Sequence, residues 1–174
     1  MDLTELEAIA EASQDRFRLE TLPAYAVEQE ADEFAAWQRG ERQLPGVADD
    51  PWLRHIRETT QAGAHWWRVR IVEYPLTPYV EYELHGLQAN AMAGEDVYVA
   101  DRAWADELGP LREDAWIFDD GDVVVRMDYD HAGHPVGAQR VDDVQRYLGM
   151  RAVAMRHAVS LGDFLAVWEP RLIA

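Results

Sequence analysis

Two arginines in an apolar, strand-like stretch are the residues whose chemistry is hardest to explain by packing alone. Arg68 and Arg70 alternate with β-branched residues and share one predicted strand face with Trp66. A buried guanidinium without a partner is too costly to keep, so each arginine needs a carboxylate or a ligand. Two interpretations stay open. One is an internal ion pair with Glu83 or Asp119, and the other is recognition of an anionic small molecule or of a partner's carboxylate.

Neighbouring aromatic and acidic residues extend this candidate site. Glu83 lies on a predicted helix beside Tyr79, and positions i and i+2 of a helix face different ways, so Glu81 cannot share its orientation. Trp116 begins a predicted hairpin that carries further acids. No residue is predicted to be catalytic. The predicted ligand- or partner-binding residues are Arg68, Arg70, Tyr79, Glu83, Trp116 and Asp119.

Several common chemistries are excluded by composition. Cysteine is absent, and all 16 basic residues are arginine, which excludes a thiol nucleophile, a Schiff-base lysine and a P-loop lysine. No serine lies in a Gly-x-Ser-x-Gly elbow. The acidic loop that begins at Asp128 resembles a calcium loop, but Ala132 and Gln139 occupy positions where ligands are needed. We therefore expect no metal and no cofactor.

Charge is strongly unbalanced over the 174 residues: 33 acidic against 16 basic side chains give a net charge of −17. Such a surface repels nucleic acid phosphates and acidic membranes. The N-terminus carries early acids, and no apolar run approaches the roughly 18 residues of a membrane span, so we expect a cytoplasmic protein. A GC-rich genome explains the absence of lysine, and a halophilic origin remains an alternative.

The first half of the chain predicts the elements that position the arginines. The pattern predicts helices over 1–14, 27–39 and 50–63, and a short strand over 17–20. Asp50 and Pro51 are typical of a helix start. The period then changes to two, and apolar residues on both faces predict a central strand that is covered on two sides. A helix from Thr77 to about Met92 and a strand over 95–99 follow.

The second half predicts a short helix over 102–108, then a hairpin whose type I′ turn is Asp120-Gly121. A strand over 136–141 and a helix over 142–157 follow, and the sequence ends with a short helix that begins near Ser160. The predicted apolar stripe of the long helix is Val144, Leu148, Ala152, Met155 and Val159. This order predicts one α/β domain (α+β being the alternative) over 1–174. It has a mixed sheet with packed helices, an antiparallel hairpin near the C-terminal third, and a peripheral helix in 1–16.

Five strings of residues together carry a resemblance that covers roughly Phe17 to His157. They are Phe17-Arg18-Leu19-Glu20 with Tyr25; Asp50-Pro51-Trp52-Leu53; Arg68-Val69-Arg70-Ile71-Val72 with Pro75-Leu76-Thr77 and Tyr79; Ala93-Gly94-Glu95-Asp96-Val97; and Trp116-Ile117-Phe118-Asp119-Asp120. As a set they resemble an uncharacterised actinobacterial domain family that is often encoded beside helix-turn-helix regulators. The resemblance implies a regulatory or accessory role and no established activity. The sequence departs from it at Glu73-Tyr74 and in the turn from His131 to His134.

A more distant similarity is to the phospholipase D-like sensor half-domain of some bacterial regulators, in which a basic strand follows a helix and a Phe-Asp-Asp hairpin precedes a C-terminal helix. Catalytic members of that superfamily use a histidine and a lysine. This chain has no lysine and cannot use that chemistry. The similarity therefore concerns the fold alone.

Two functions are consistent with these patterns. The favoured one is a non-catalytic regulatory or accessory protein that binds a protein partner, in particular a helix-turn-helix transcriptional regulator, because the chain is acidic and rich in tryptophan. The alternative is a small-molecule-binding protein or enzyme with a pocket around Arg70, Tyr79, Glu83 and Trp116. Both readings leave homo-oligomerisation open.

Overall fold

The strands form one mixed sheet, and the computed structural model describes residues 1–172. Its strands are β1 (Asp15–Glu20), β2 (His65–Val72), β3 (Asp96–Asp101), β4 (Asp114–Phe118), β5 (Val123–Tyr129), β6 (Pro135–Arg140) and β7 (Val159–Ser160). Its α-helices are α1 (Leu3–Ala12), α2 (Ala31–Gln38), α3 (Pro51–Gln61), α4 (Pro78–Ala93), α5 (Val144–His157) and α6 (Leu161–Leu172). Residues 173 and 174 of the predicted domain lie outside the described residues.

The strand order is β6-β5-β4-β1-β2-β3-β7. β1, β2 and β3 are parallel, whereas β4 to β6 form an antiparallel meander beside β1, and β7 pairs antiparallel with β3. The predicted α/β fold with a mixed sheet, packed helices and a single domain is confirmed. β2 lies between β1 and β3, as predicted for a central strand. In this register Arg18 is opposite Arg68, and Glu20 is opposite Arg70.

The two faces of the sheet are covered by different helices. α5 packs over one face, where Phe17, Leu19, Val69 and Ile71 form a buried apolar core with it. The other face carries α1, α3, α4 and α6. Since alternate strand residues face opposite sides, the even-numbered residues of β1 and β2, including all their arginines, lie under this second set of helices.

Helix starts follow the predicted capping chemistry. The Asp50 carboxylate accepts hydrogen bonds from the backbone N–H groups of Trp52 and Leu53, and Pro51 occupies the first turn of α3. The Thr77 side chain accepts from Val80 N–H at the start of α4, and Gly94 ends that helix with φ +118°. Within residues 1–172, no helix combines the length and the apolar character that a membrane crossing needs.

Local details differ from the predictions in the second half of the chain. The hairpin turn is longer than the predicted pair: β4 ends at Phe118, and the loop from Asp119 has three consecutive positive φ values, so its first two residues accept left-handed backbone. The predicted helix over 102–108 is two 3₁₀ turns. The last helix is longer than predicted.

The apolar stripe predicted for α5 is confirmed in part: Val144, Leu148 and Met155 pack against the core from partly buried positions, but the helix face is centred on other residues. The buried residues of this helix are Tyr147, Met150 and Ala154, whereas Ala152 is exposed. A tyrosine can bury its ring while its hydroxyl reaches a polar partner, so a count of aliphatic residues misplaces the face. The N-terminal helix predicted as peripheral is held by Leu6, which packs into the core formed with β5.

Two glycines provide a matched test of this backbone. Gly133 has φ +90°, and a Cβ there would lie 2.8 Å from the carbonyl oxygen of Ala24. We expect Gly133→Ala to lower the free energy of unfolding by ~1–3 kcal/mol in urea titrations. Gly149 lies inside α5 with nothing within 4 Å of an added Cβ, so Gly149→Ala is expected to raise it by ~0.5–1 kcal/mol. Equal effects of the two changes would contradict the backbone described here.

Candidate functional site

A groove of about 1050 Å³ lies on the sheet face that carries α1, α3, α4 and α6. It runs between α4 and the segment from α2 to the start of α3. Its floor comes from the ends of β1 and β2. One wall is α4, and the other is α2 with the loop that follows it. We call this cavity the groove. Its charged and aromatic lining residues are Arg18, Glu20, Tyr25, Glu30, Glu33, Trp37, Glu41, Asp49, Asp50, Trp52, Arg68, Tyr79, Tyr82, Glu83 and Tyr129.

The floor is a chain of alternating charges. Glu20 lies between two guanidiniums, with Oε1 3.2 Å from Arg18 Nε and Oε2 3.0 Å from Arg68 Nη1. Arg68 also donates two hydrogen bonds to Glu95, at 2.5 and 3.1 Å. Arg18 Nη2 donates a hydrogen bond to the Tyr129 hydroxyl at 2.9 Å. Like charges directly across two strands repel, and these carboxylates offset that repulsion.

Arg70 lies beneath the floor and is fully buried. Its Nε is 2.6 Å from Glu83 Oε2, and its Nη2 donates to the carbonyl oxygen of Leu22 at 2.6 Å. The guanidinium carbon also lies 5.2 Å from the centre of the Tyr25 ring. Of the two interpretations that the sequence left open, the structure therefore shows the internal ion pair. The partner is Glu83, and Asp119 takes no part.

The pKa values of the two acids of this network, Glu20 and Glu83, are shifted in opposite directions. Burial raises the pKa of Glu20, but the charges of Arg68 and Arg18 outweigh it and lower that pKa to about 2. Burial raises the pKa of Glu83 to about 7, although Arg70 favours its ionised form. Glu20 is thus ionised at neutral pH, whereas Glu83 exchanges its proton there. Glu83 is the only one of the two with a proton affinity suited to proton transfer at neutral pH.

Aromatic rings form the upper walls. The Phe34 ring on α2 lies within 5.6 Å of the Tyr79 and Tyr82 rings on α4. Trp37, one turn further along α2, approaches the Tyr82 ring edge-on at 6.3 Å. The Tyr79 hydroxyl donates to Glu30 at 2.9 Å. These contacts hold α2 against α4, since α2 has no buried residue of its own.

The remaining predicted site residues lie elsewhere. The Arg18 guanidinium carbon lies 4.8 Å from the centre of the Trp116 ring, and that ring stacks on Phe118. Trp116 therefore supports the floor but does not line the groove. Asp119 accepts hydrogen bonds from the backbone N–H groups of Gln14 and Asp15 at 2.7 and 2.9 Å. It fixes the opposite end of β1 and is not a groove residue. The predicted pocket is corrected accordingly: it keeps Tyr79 and Glu83, with the buried guanidinium below.

Sequence reasoning missed the acidic wall contributed by α2 and the loop after it. Glu30 and Glu33 read as the solvent face of a short helix, and Asp49 reads as part of a turn. The available signal was the spacing: Glu30 and Glu33 each lie four residues before an aromatic residue of α2, Phe34 and Trp37. That spacing puts carboxylates and rings side by side on one helix.

The charge of the lining decides which sign of ligand the groove would stabilise. Among residues 1–172, no group of three or more histidine or acidic side chains is placed to hold a metal ion. The groove's two lining arginines are fully engaged with Glu20, Glu95 and the Tyr129 hydroxyl. Of the carboxylates that α2 and its flanking segments contribute, only Glu41 forms an ion pair within residues 1–172, with Arg39 at 3.1 Å at the surface. A positively charged ligand is therefore the one that this lining would stabilise.

Fold and groove together define an α/β domain whose groove has a charge-balanced floor and acidic, aromatic walls. Residues 4–166 match the family described as a domain of unknown function (DUF6879), and the chain belongs to that family. No curated protein and no solved structure matches the chain. The family membership agrees with the uncharacterised domain family that the sequence strings resemble.

Removal of the buried guanidinium tests its structural role. We expect Arg70→Ala to lower the free energy of unfolding by ~3–5 kcal/mol, because it leaves Glu83 and the Leu22 carbonyl without their donor. Arg112→Ala is the control, since Arg112 forms an exposed 3.4 Å pair with Glu73 worth less than ~1 kcal/mol. If Arg70→Ala unfolds at the same temperature as Arg112→Ala, Arg70 does not stabilise the fold and this structural role is contradicted.

Proton binding at Glu83 gives a pH signature. Its pKa is about 7 in the folded protein against a usual value of 4.5, so the folded state binds more protons between these values. Stability from this group is therefore lost as the pH rises from 4.5 to 7. We expect the difference in unfolding free energy between wild type and Glu83→Gln to fall across this window by up to about 3 kcal/mol. Urea titrations at half-unit pH steps measure it, and a pH-independent difference would contradict this assignment.

Proposed function

We propose that this protein is a non-catalytic accessory module that binds a basic segment of a protein partner in its groove. The observation that supports this most is the excess of carboxylates in the lining. Seven acidic side chains line the groove against two arginines, and both arginines are neutralised by the chain's own acids. The five acids that do not belong to the floor are Glu30, Glu33, Glu41, Asp49 and Asp50.

Long-range charge acts in the same direction. The net charge of −17 attracts a cationic partner before contact, and a cleft focuses the field at its mouth. Aromatic side chains near the mouth supply contact area, since Trp52 is 43 % exposed and Trp37 lines the wall. Tryptophan and tyrosine are enriched among the residues that dominate binding energy at protein interfaces. Charge would set the association rate and the rings much of the residence time.

The partner that we propose is a helix-turn-helix transcriptional regulator encoded beside this protein's gene. DNA-binding domains carry clustered arginine and lysine on the surface that meets phosphate, and such a surface complements the groove. The resemblance of the sequence strings to an actinobacterial family with this gene context supports the choice, as does the lysine-free composition expected from a GC-rich genome. The setting of the proposed function is the cytoplasm.

A small cationic molecule is the second candidate occupant. A cavity of about 1050 Å³ lies at the upper end of the range of small-molecule pockets. Glu83 lines it and has a pKa of about 7, which would allow it to exchange a proton with a bound amine. This observation keeps an enzyme or small-molecule-binding role as the alternative.

Titration calorimetry with the purified neighbouring regulator tests the proposal. We expect Glu33→Gln/Asp49→Asn to weaken binding at least about tenfold, equivalent to 1.4 kcal/mol, because it removes two wall carboxylates. The matched control is Asp122→Asn/Asp142→Asn, which changes the net charge equally at exposed positions outside the groove lining. Equal weakening by both variants, or no binding by wild type at 50 mM salt, would refute a groove-bound basic partner.

A further inference from the structure

One part of the groove has carboxylates without cations beside rings that can carry one. Glu30 and Glu33 lie one turn apart at the start of α2, next to Trp37 and the tyrosines of α4. Glu30 is half-buried, and Glu33 is exposed at the rim. Within residues 1–172 neither forms an ion pair, and each accepts a tyrosine hydroxyl, at 2.9 Å from Tyr79 and 3.3 Å from Tyr82. We call this the α2/α4 subsite.

The electrostatics of the subsite show that it is under-compensated. Burial raises the pKa of Glu30 against its bond from Tyr79, and the charges of Glu20 and Glu33 raise it further. Burial and the charges of Glu30 and Glu33 likewise raise the pKa of Tyr82. The raised pKa values of Glu30 and Tyr82 thus both reflect the negative potential there. An incoming cation would remove this cost, whereas an incoming anion would increase it.

The rings add a preference about the shape of that cation. Phe34 contacts the rings of Trp37, Tyr79 and Tyr82 and holds them as one wall. The chain already places a guanidinium on this wall, because the Arg42 guanidinium carbon lies 4.2 Å from the centre of the Trp37 ring. A guanidinium is flat and weakly hydrated, so it can lie on a ring while its edge donates two bonds to a carboxylate. An ammonium can also lie over a ring, but its three diverging N–H groups cannot make two parallel bonds to one carboxylate.

An unused donor marks the same wall. The Trp37 indole Nε1–H is buried and has no hydrogen-bond partner among the described residues. A ligand that enters beside it would change the environment of this N–H. The chain has seven tryptophans, and each indole N–H gives its own resonance. Once the Trp37 resonance is assigned, its shift reports ligand binding at this wall.

We propose that the α2/α4 subsite recognises an arginine side chain of the partner and discriminates against lysine. Glu30 and Glu33 accept the guanidinium edge, and the Tyr82 ring flanks its face beside Trp37, whose own ring already carries Arg42. This inference rests on the proposed function, because the arginine belongs to the basic segment that the groove receives. It adds a side-chain preference that general charge attraction would not give.

Two synthetic peptides test it against the full-length protein. One is an acetylated Gly-Arg-Gly-Arg-Gly-Arg amide, and the other replaces every arginine by lysine at the same charge. Titration is followed by calorimetry and by ¹H–¹⁵N spectra of the tryptophan indoles, with Trp37 assigned through Trp37→Phe. We expect the arginine peptide to bind at least about tenfold tighter and to shift the Trp37 indole resonance.

Variants separate the subsite from general charge. Glu30→Gln/Glu33→Gln is expected to reduce the preference for arginine to less than about threefold, whereas Asp122→Asn/Asp142→Asn, which alters the same net charge outside the groove lining, retains it. Equal affinity for the two peptides, or tight arginine binding without a Trp37 shift, would overturn the inference. Either result leaves the groove-bound regulator standing if calorimetry with that regulator succeeds. Absence of binding by both peptides overturns the inference as well.

Discussion

The need to neutralise three of the four guanidiniums that β1 and β2 place on one covered sheet face constrains the rest of this molecule. The fourth, Arg16, lies over the Trp66 ring at 4.4 Å. Arg18, Arg68 and Arg70 lie on neighbouring positions of β1 and β2, where helices exclude most of the water. Each is satisfied by a carboxylate from a different place in the chain: Glu20 from β1 itself, Glu95 from the turn after α4, and Glu83 from within α4. The pairs therefore fix the position of α4 on the sheet, because any sliding of that helix would separate buried charges.

A balanced floor leaves the walls to decide what the groove attracts. If the arginines were free, the groove would be suited to phosphates or carboxylates. Because they are saturated from within, the surplus charge comes from α2 and the loop after it, and that surplus is negative. The same segment is attached mainly through the contacts of the Phe34 and Trp37 rings with α4. The helix at the centre of the acidic wall thus has no buried residue of its own, which is typical of segments that open locally at low cost in free energy.

Much of the scaffold could be predicted from local chemistry. Asp50 and Thr77 cap their helices because short polar side chains reach the first free N–H groups, and that reach is set by neighbours in sequence. The pairing of Arg70 with Glu83 could be named as an option, because an unpaired buried charge is excluded on energy alone. The choice between Glu83 and Asp119 could not, because it depends on which strand lies beside β1. Parallel pairing with β2 and antiparallel pairing with β4 are set by packing over the whole sheet.

The groove itself was beyond local inference. Its acidic wall comes from residues that read as solvent-facing, and its boundary depends on how the twelve-residue loop over 39–50 folds over α4. The buried face of α5 was equally hard to predict. Tyr147 buries its ring in the core while its hydroxyl donates a hydrogen bond to Glu113 at 2.7 Å. A side chain that is part ring and part hydrogen-bonding group cannot be assigned to the core or the surface by polarity.

A double-mutant cycle on Arg70 and Glu83 tests most directly whether the buried charges of this face stabilise one another. The variants are Arg70→Met, Glu83→Met and both together, and the measurement is the free energy of unfolding in urea. Internal saturation predicts that the double variant loses at least about 2 kcal/mol less than the sum of the two single losses, since each single change leaves one buried polar group without its partner. Additivity within ~0.5 kcal/mol would show that the two residues act independently, and would contradict a floor neutralised from within.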